Sequence, residues 1–321
     1  MDKQRGPILN SPAQPTTRQS FTIESDHAEQ RIDNFLFTKL KKVPKSLIYR
    51  LVRKGAIRVN KKRVKPEYKL QAQDIIELPN ITQEVPADPG MPSNKSTRLL
   101  ENNILYEDKN LIIVNKPAGI ASHGGSGINF GVIEIMRAAR PKLKSLELVH
   151  RLDRDTSGCL ILAKKRSTLK ELHELLQAGK VTKKYLLLVY GKWSGGTRKV
   201  TARLQKNSLK SGERIVTVNE DGKKALTIFH PKKIFTDTTL LEAELGTGRT
   251  HQLRVHAAHL GHPIAGDEKY GDKDFNGKMY RLGLKRLFLH AYSLSFCLPT
   301  GRQKIQITAP IPKELQKIIE D

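Results

Sequence analysis

The chain has 321 residues, 38% hydrophobic and 28% charged, with 57 Lys and Arg against 32 Asp and Glu for a formal charge of +25. That length suits two folded units with tails better than one core, and the charge excess points to a polyanionic partner. No apolar stretch approaches the ~20 residues that span a bilayer, and two cysteines exclude a disulfide framework.

Residues 1–19, MDKQRGPILNSPAQPTTRQ, are polar and lack an apolar h-region. A disordered tail is expected, with no secretory signal. Cys159 and Cys297 each sit in an apolar strand-like run (GCLILA, LSFCLP), so both are expected to be buried free thiols. Together these features point to the cytoplasm.

Residues 20–79 read as a small domain. FTIES is strand-like, and RIDNFLFTKL places Ile32, Phe35, Leu36 and Leu40 on one helical face. Pro44 breaks the pattern and Ser46 is the expected cap of a second helix, SLIYRLVRK, with Gly55 at its end. AIRVNKKRV alternates and turns around Asn60–Lys62, as in a hairpin, and DIIEL closes the unit.

From Arg31 to Leu70 there are 14 Lys or Arg against two acids. Such a run is often only a solvated face. Here it overlies apolar periodicity, so it belongs to a folded unit and favours nucleic-acid binding. Arg50, Arg53, Lys54, Arg58, Lys61, Lys62 and Arg63 are the expected RNA contacts.

Residues 80–98 carry Pro86, Pro89 and Pro92 with little apolar periodicity, and read as a linker. Residues 99–321 form the second unit. ILYEDKNLIIVNKPAG reads as a hairpin turning at Asp108–Asn110. GVIEIMRAARP and STLKELHELLQAG read as helices. CLILAKK, KKYLLLVYGKW, RIVTVN, ALTIFHP, TTLLEAEL, RLFLHAYSLSF and QKIQITAP read as strands. The expected class is α+β, a mixed and mainly antiparallel domain preceded by a small helix-pair and β-hairpin unit.

Three segments of the larger unit carry candidate chemistry. GGSG (124–127) has the glycines of a phosphate loop but lacks the Gly-Lys-Ser/Thr ending, and reads as a flexible turn. His251, His256, His259 and His262 raise a metal site, yet their spacing is poor and no HExxH or cysteine supports it. A Ser-His-Asp hydrolase is weakened by the absence of a GxSxG elbow.

What remains is HRLDRDTSG (150–158), with two carboxylates among arginines. Asp155, in DTSG, reads as a turn-forming residue with local hydrogen bonds. Asp153 precedes an apolar strand and suits a cleft wall. Held ionised by a guanidinium, with Arg249 and Arg254 as candidates, it can act as nucleophile or base at neutral pH.

Four motifs in order resemble those of the pseudouridine synthases that modify ribosomal RNA: ILYEDKNLIIVNKPAG, HRLDRDTSG with its strand, KKYLLLVYG, and GRTHQLRVHAAHLGHPIAGDEKYG. RIDNFLFTKLKKVPKSLIYRLVRKGAIRVNKKRVKPEYKLQAQDIIEL resembles the S4 RNA-binding domain. GERIVTVNEDGKKALTIF and HGGSGINFGVIE resemble a branch acting on the large ribosomal subunit. The resemblance spans about residues 20–315.

It implies isomerisation of uridine to pseudouridine with Asp153 as the essential carboxylate. Tyr185 would stack on the target base, and Arg254 would pair with Asp153. Arg151 would contact RNA near the displaced nucleotide, and Arg249 would contact a phosphate. No cofactor and no metal are implied. The implied partner is 23S ribosomal RNA or a large-subunit precursor, and a monomer is expected. The rival reading is a non-catalytic RNA-binding or ribosome-assembly factor, against which the intact Asp153, Tyr185 and Arg254 set speaks.

Overall fold

Among the described residues ten strands of the larger unit share one sheet, and its two faces explain why its central strands read as unbroken apolar runs. The computed structural model describes residues 20–40, 43–79, 90–125, 128–143, 145–208, 214–299 and 304–320. The tail at 1–19 and the first half of the expected linker, 80–89, therefore lie outside the described residues, as do Ser126 and Gly127 of GGSG. The chain divides into two units between Gly90 and Met91.

The first unit contains β1 (Ser20–Thr22), α1 (Ile32–Lys39), α2 (Lys45–Lys54), β2 (Arg58–Val59) and β3 (Ile75–Glu77). Ile32, Phe35 and Leu36 of α1 pack with Ile48 and Val52 of α2, as their spacing requires. Pro44, not Ser46, is the N-cap of α2, and Gly55 ends the helix at φ 71°. The expected hairpin forms only its turn, with Asn60 and Lys61 at positive φ and a single Val59–Lys62 bridge. β2 instead pairs with β3, which is central in the order β1-β3-β2. The apolar DIIEL run thus takes the middle place between two short strands.

The second unit starts with α3 (Asn94–Glu101), which begins inside the expected linker. Ser93 caps it by accepting from Ser96 N at 3.2 Å, and Leu100 anchors it in the core. Then follow β4 (Ile104–Glu107), β5 (Leu111–Lys116), α4 (Val132–Ala139), β6 (Glu147–Leu148), β7 (Ser157–Ala163), α5 (Arg166–Gln177) and β8 (Thr182–Tyr190). β9 (Arg198–Val200), β10 (Leu204–Ser208), β11 (Arg214–Val218), β12 (Thr227–Ile234) and β13 (Thr238–Leu245) come next. The chain closes with α6 (Gln252–His259), α7 (Lys273–Arg281), β14 (Leu289–Cys297), β15 (Lys304–Thr308) and α8 (Lys313–Glu320).

The main sheet runs β4-β5-β7-β14-β8-β13-β12-β9, with β15 on β14 and β6 on β7. Among the described residues only β7 and β14 run parallel in it. Ile112, Val114, Leu160 and Leu162 face one core with α4 and α6. Leu111, Ile113, Cys159 and Ile161 face the other with α5. Burial on both faces is what makes β5 and β7 continuously apolar. Cys159 is buried as expected, but Cys297 is exposed at the last position of β14, where the strand leaves the core.

Register positions the site. Ser157 of β7 lies opposite His290 of β14, and His290 lies opposite Leu186 of β8. Asp153, four residues before Ser157, and Tyr185, one before Leu186, are thereby brought to the same region of the sheet.

Candidate active site

The loop from Leu152 to Thr156 is held by its backbone. Ser122 Oγ donates to Leu152 O at 2.7 Å and accepts from Leu152 N at 2.9 Å. Thr156 N donates to Asp153 O, and Gly119 N donates to Arg154 O. Arg154 O also accepts from Lys116 Nζ at 3.0 Å, and Asp155 O from Arg286 Nη2 at 3.3 Å. Every carbonyl from Leu152 to Asp155 therefore has a donor, which fixes the direction in which Asp153 projects.

Lys116 is wholly buried, and its ammonium also donates to Pro117 O and Ile120 O at 2.8 and 2.7 Å. Burial, then the Arg286 charge, push its pKa down to about 7, against the opposing pull of Asp155 and Asp153. Gly158, at φ 110°, follows the loop where β7 meets β14. A Cβ there would lie 2.2 Å from Ala291 O, so only glycine fits.

Asp153 opens onto a cavity of about 240 Å³ whose walls include Tyr185, Lys183, His251 and Arg254. The Asp153 side chain keeps 23% of its exposure, enough to meet a ligand. Tyr185 is buried in β8, both a core residue and a wall of the cavity. Burial, then the Asp153 charge, raise its pKa, so the phenol stays protonated.

Arg254 departs from the expected simple pair with Asp153. Its Nε and Nη2 each donate to Asp267 at 2.7 Å, while Nη1 stands 3.8 Å from Asp153 Oδ2. A guanidinium has two usable edges, and the bidentate edge goes to the carboxylate that is fully buried. Asp267 also accepts from Lys269 N and Tyr270 N at 2.9 and 3.0 Å. Burial opposes its ionisation, but Arg254 and these amides outweigh it and hold the carboxyl below the usual range. The Arg254 guanidinium further lies over the Tyr270 ring at 5.0 Å.

His251 completes this wall. It is the N-cap of α6 in the left-handed region, at φ 53°. Its Nδ1 meets Tyr270 Oη at 2.8 Å, and its Nε2 lies 3.9 Å from Asp153 Oδ2. Tyr270 Oη already accepts from Val216 N at 2.9 Å, so we assign its proton to the bond with Nδ1, leaving the His251 hydrogen on Nε2. Burial lowers the His251 pKa against the pull of Asp153, and the ring is neutral.

The other histidines diverge. His256 bonds Thr227 and Ala202 O, His262 bonds Tyr190 O, and His259 is exposed. Among the described residues no group of His, Cys, Asp and Glu is placed to hold a metal ion. Arg151 and Arg249 are exposed at the rim of the cavity, and Arg249 Nε donates to Lys224 O at 3.2 Å. Among the described residues the Asp155 side chain bonds its neighbour Arg154 alone, so the turn is shaped by the loop backbone rather than by that carboxylate.

In the first unit Arg50, Arg53, Lys54, Arg58, Lys61, Lys62 and Arg63 are all exposed. Arg58 and Arg63 fold back on Gly55 O and Lys54 O, which ties the turn to the end of α2.

Sequence reasoning missed Asp267, His251 as a wall of the cavity, and Lys183. The signal for Asp267 was available: a buried arginine needs a full anionic partner, and GDEKY offers a carboxylate followed by turn amides.

On this mixed sheet a protonated phenol and a divided guanidinium surround one carboxylate, and comparison with known proteins identifies the family. The RNA pseudouridylate synthase family model matches residues 110–259, and the S4 domain model matches residues 30–76. The chain belongs to the pseudouridine synthase family and is an RNA pseudouridine synthase, an isomerase.

Among its relatives, ribosomal large subunit pseudouridine synthase C of Haemophilus influenzae is 52% identical over 100% of this chain and 98% of its own length. The protein of that name from Pasteurella multocida is 54% identical over 93% and 92%. That from Escherichia coli K12 is 50% identical over 93% and 94%. The solved structure of human RNA pseudouridylate synthase domain containing 4 shares the fold, with TM-score 0.58 and 24% identity over 71% of this chain and 95% of that one.

Proposed function

We propose that this enzyme isomerises specific uridines of 23S ribosomal RNA, with Asp153 as its essential carboxylate. The supporting observation is the placement of Asp153 at one cavity with the Tyr185 phenol and the free edge of Arg254. The near full-length identity to relatives named for the large ribosomal subunit supports the substrate.

The target nucleotide must leave its stack, at a cost of a few kcal/mol. Tyr185 stacks on the freed base and offsets about 1–3 kcal/mol of that. Arg151 and Arg249 hold the flanking RNA at the rim, and the basic face of the S4 domain binds phosphates with an affinity that falls with salt.

Asp153, facing the Arg254 guanidinium, then acts at the sugar, either adding to C1′ or removing the 2′ proton. On both routes the C1′–N1 bond breaks with its electron pair leaving on N1. The detached uracil turns and C5 bonds to C1′ as the Asp153 ester bond to C1′ breaks or, on the second route, as Asp153 returns the proton to C2′; C5 then loses its proton and N1 gains one. Atoms and electrons balance within the nucleotide, so the reaction requires no redox cofactor and no energy source.

The test is to treat a 23S transcript with the protein and map pseudouridine by carbodiimide-induced stops in primer extension, with a 16S transcript as control. Discrete new stops in 23S alone are expected. Stops in 16S, or none in 23S or in a large-subunit precursor particle, would overturn the substrate assignment.

A further inference from the structure

Two consecutive lysines of β8 meet opposite fates. Lys184 Nζ donates to Glu242 at 2.9 Å, and Glu242 also accepts from the Tyr292 hydroxyl, so that charge is neutralised within the sheet. Lys183, on the other face of the strand, shares its side with Tyr185 because residues two apart in a strand point the same way. It lines the Asp153 cavity, where its Nζ approaches the backbone at Gly248.

Among the described residues no carboxylate lies within 4.0 Å of the Lys183 ammonium. Its titratable neighbour is His150, a ring kept neutral by burial and by the Lys183 charge itself, with a pKa lowered to about 3. Burial lowers the pKa of Lys183 as well, with no anion to offset it. An uncompensated, half-buried cation in a reaction cavity is costly to keep. It is accounted for if the missing anion appears during the reaction.

The chemistry supplies one. Uridine and pseudouridine are both neutral at the base, but the detached uracil carries the N1 electron pair, spread over N1, O2 and O4. As it forms, the carboxylate charge of Asp153 is consumed, by ester formation or by protonation. Negative charge therefore moves from the Arg254 side of the cavity into the ring.

We propose that Lys183 is a catalytic residue whose ammonium contacts a carbonyl oxygen of the detached uracil and holds that ring as an anion until C5 bonds to C1′. Lys183 stays protonated throughout, and the proton lost at C5 is matched by the one gained at N1. Because the charge exists only between substrate and product, the contact accelerates the step without tightening RNA binding. This inference rests on the isomerisation reading above.

The experiment compares intact protein, Lys183→Met, Lys183→Gln and Lys183→Arg at single turnover on RNA carrying uridine or 5-fluorouridine at the target position. Consumption of the nucleoside is read in nuclease digests. Fluorine at C5 makes the base a better leaving group, so it relieves the need for Lys183. Lys183→Met and Lys183→Gln are expected to lose roughly 100-fold on uridine and at least about tenfold less than that on 5-fluorouridine. Lys183→Arg should keep most of the rate, and RNA affinity and thermal melting should stay near those of the intact protein.

Equal losses on both bases, a near-normal rate on uridine, or a loss explained by weaker RNA binding would overturn the assignment. Two neutral variants guard against one that fails to fold. If the intact protein leaves uridine unchanged, the isomerisation reading falls with it. If the intact protein converts uridine and the losses are equal, only the Lys183 role falls.

Discussion

Arg254 divides one guanidinium between two carboxylates: Asp267 takes Nε and Nη2 at 2.7 Å each, and Asp153 lies 3.8 Å from Nη1. Asp267 thus locks Arg254 in place and leaves one edge turned to Asp153. Asp153 is attracted without being captured by a short bidentate bond.

Asp267→Asn removes the lock. Breaking a buried ion pair by deleting one partner costs about 3 kcal/mol, read as a lower denaturation midpoint. Turnover should fall as well, because Arg254 becomes free to close on Asp153. The Asp267 carboxyl is held below its ordinary 3.8, so its stabilisation is present above that pH and is lost as pH falls through the folded value. The variant should lack that part of the acid unfolding limb.

Arg254→Lys keeps the charge but not the fork. An ammonium cannot hold Asp267 at two points and still face Asp153. A fall in turnover of roughly tenfold or more is expected with RNA affinity little changed. Near-normal single-turnover rates would contradict the divided-fork description.

Lys116→Met tests the support beneath the loop that carries Asp153. Three backbone carbonyls share the buried Lys116 ammonium, and losing such donors costs about 1–3 kcal/mol each at most. Lower turnover should accompany lower stability, since Arg154 O adjoins Asp153. With a folded pKa of about 7 against 10.5 unfolded, the unfolded chain binds more protons between these values. The contribution of Lys116 to stability therefore rises with pH across that window, and the variant should lose that slope in denaturation series.

The S4 face makes a different kind of prediction. Alanine at Arg50, Lys61 and Lys62 should weaken RNA binding without changing the rate at saturating RNA. Each lost phosphate contact should flatten the salt dependence of log affinity by about 0.7–0.9, measured by filter binding across a salt series.

Periodicity made much of this molecule legible. The two helices of the S4 domain and strands β5, β7, β8 and β13 follow from their apolar spacing, since each is buried on a predictable face. Short elements were harder. Only a serine cap and one buried leucine, Leu100, mark α3, which made it look like linker. The β3 partners of β2 lie 17 and 19 residues further on, a choice made by tertiary packing rather than by the local turn. Cys297 sits in an apolar run but at the strand end, where alternation turns it outward.

In the site, motif resemblance brought Asp153, Tyr185 and Arg254 together, and the structure places all three at one cavity. Asp267 and His251 were hidden because their roles arise from contacts between α6 and the segment after it. Spacing does not encode which edge of a guanidinium each carboxylate takes. Lys183 and Lys184 look alike in sequence, and only the two faces of β8 separate them.

The most direct test of the central claim is tritium release from 23S RNA carrying uridine labelled at C5, comparing intact protein with Asp153→Asn. The amide keeps the shape and leaves the phosphate contacts untouched. Release by the intact protein, none by the variant, and RNA affinities within a few-fold are the predicted result. Release by Asp153→Asn at a comparable rate would contradict the assignment of the reaction to this carboxylate.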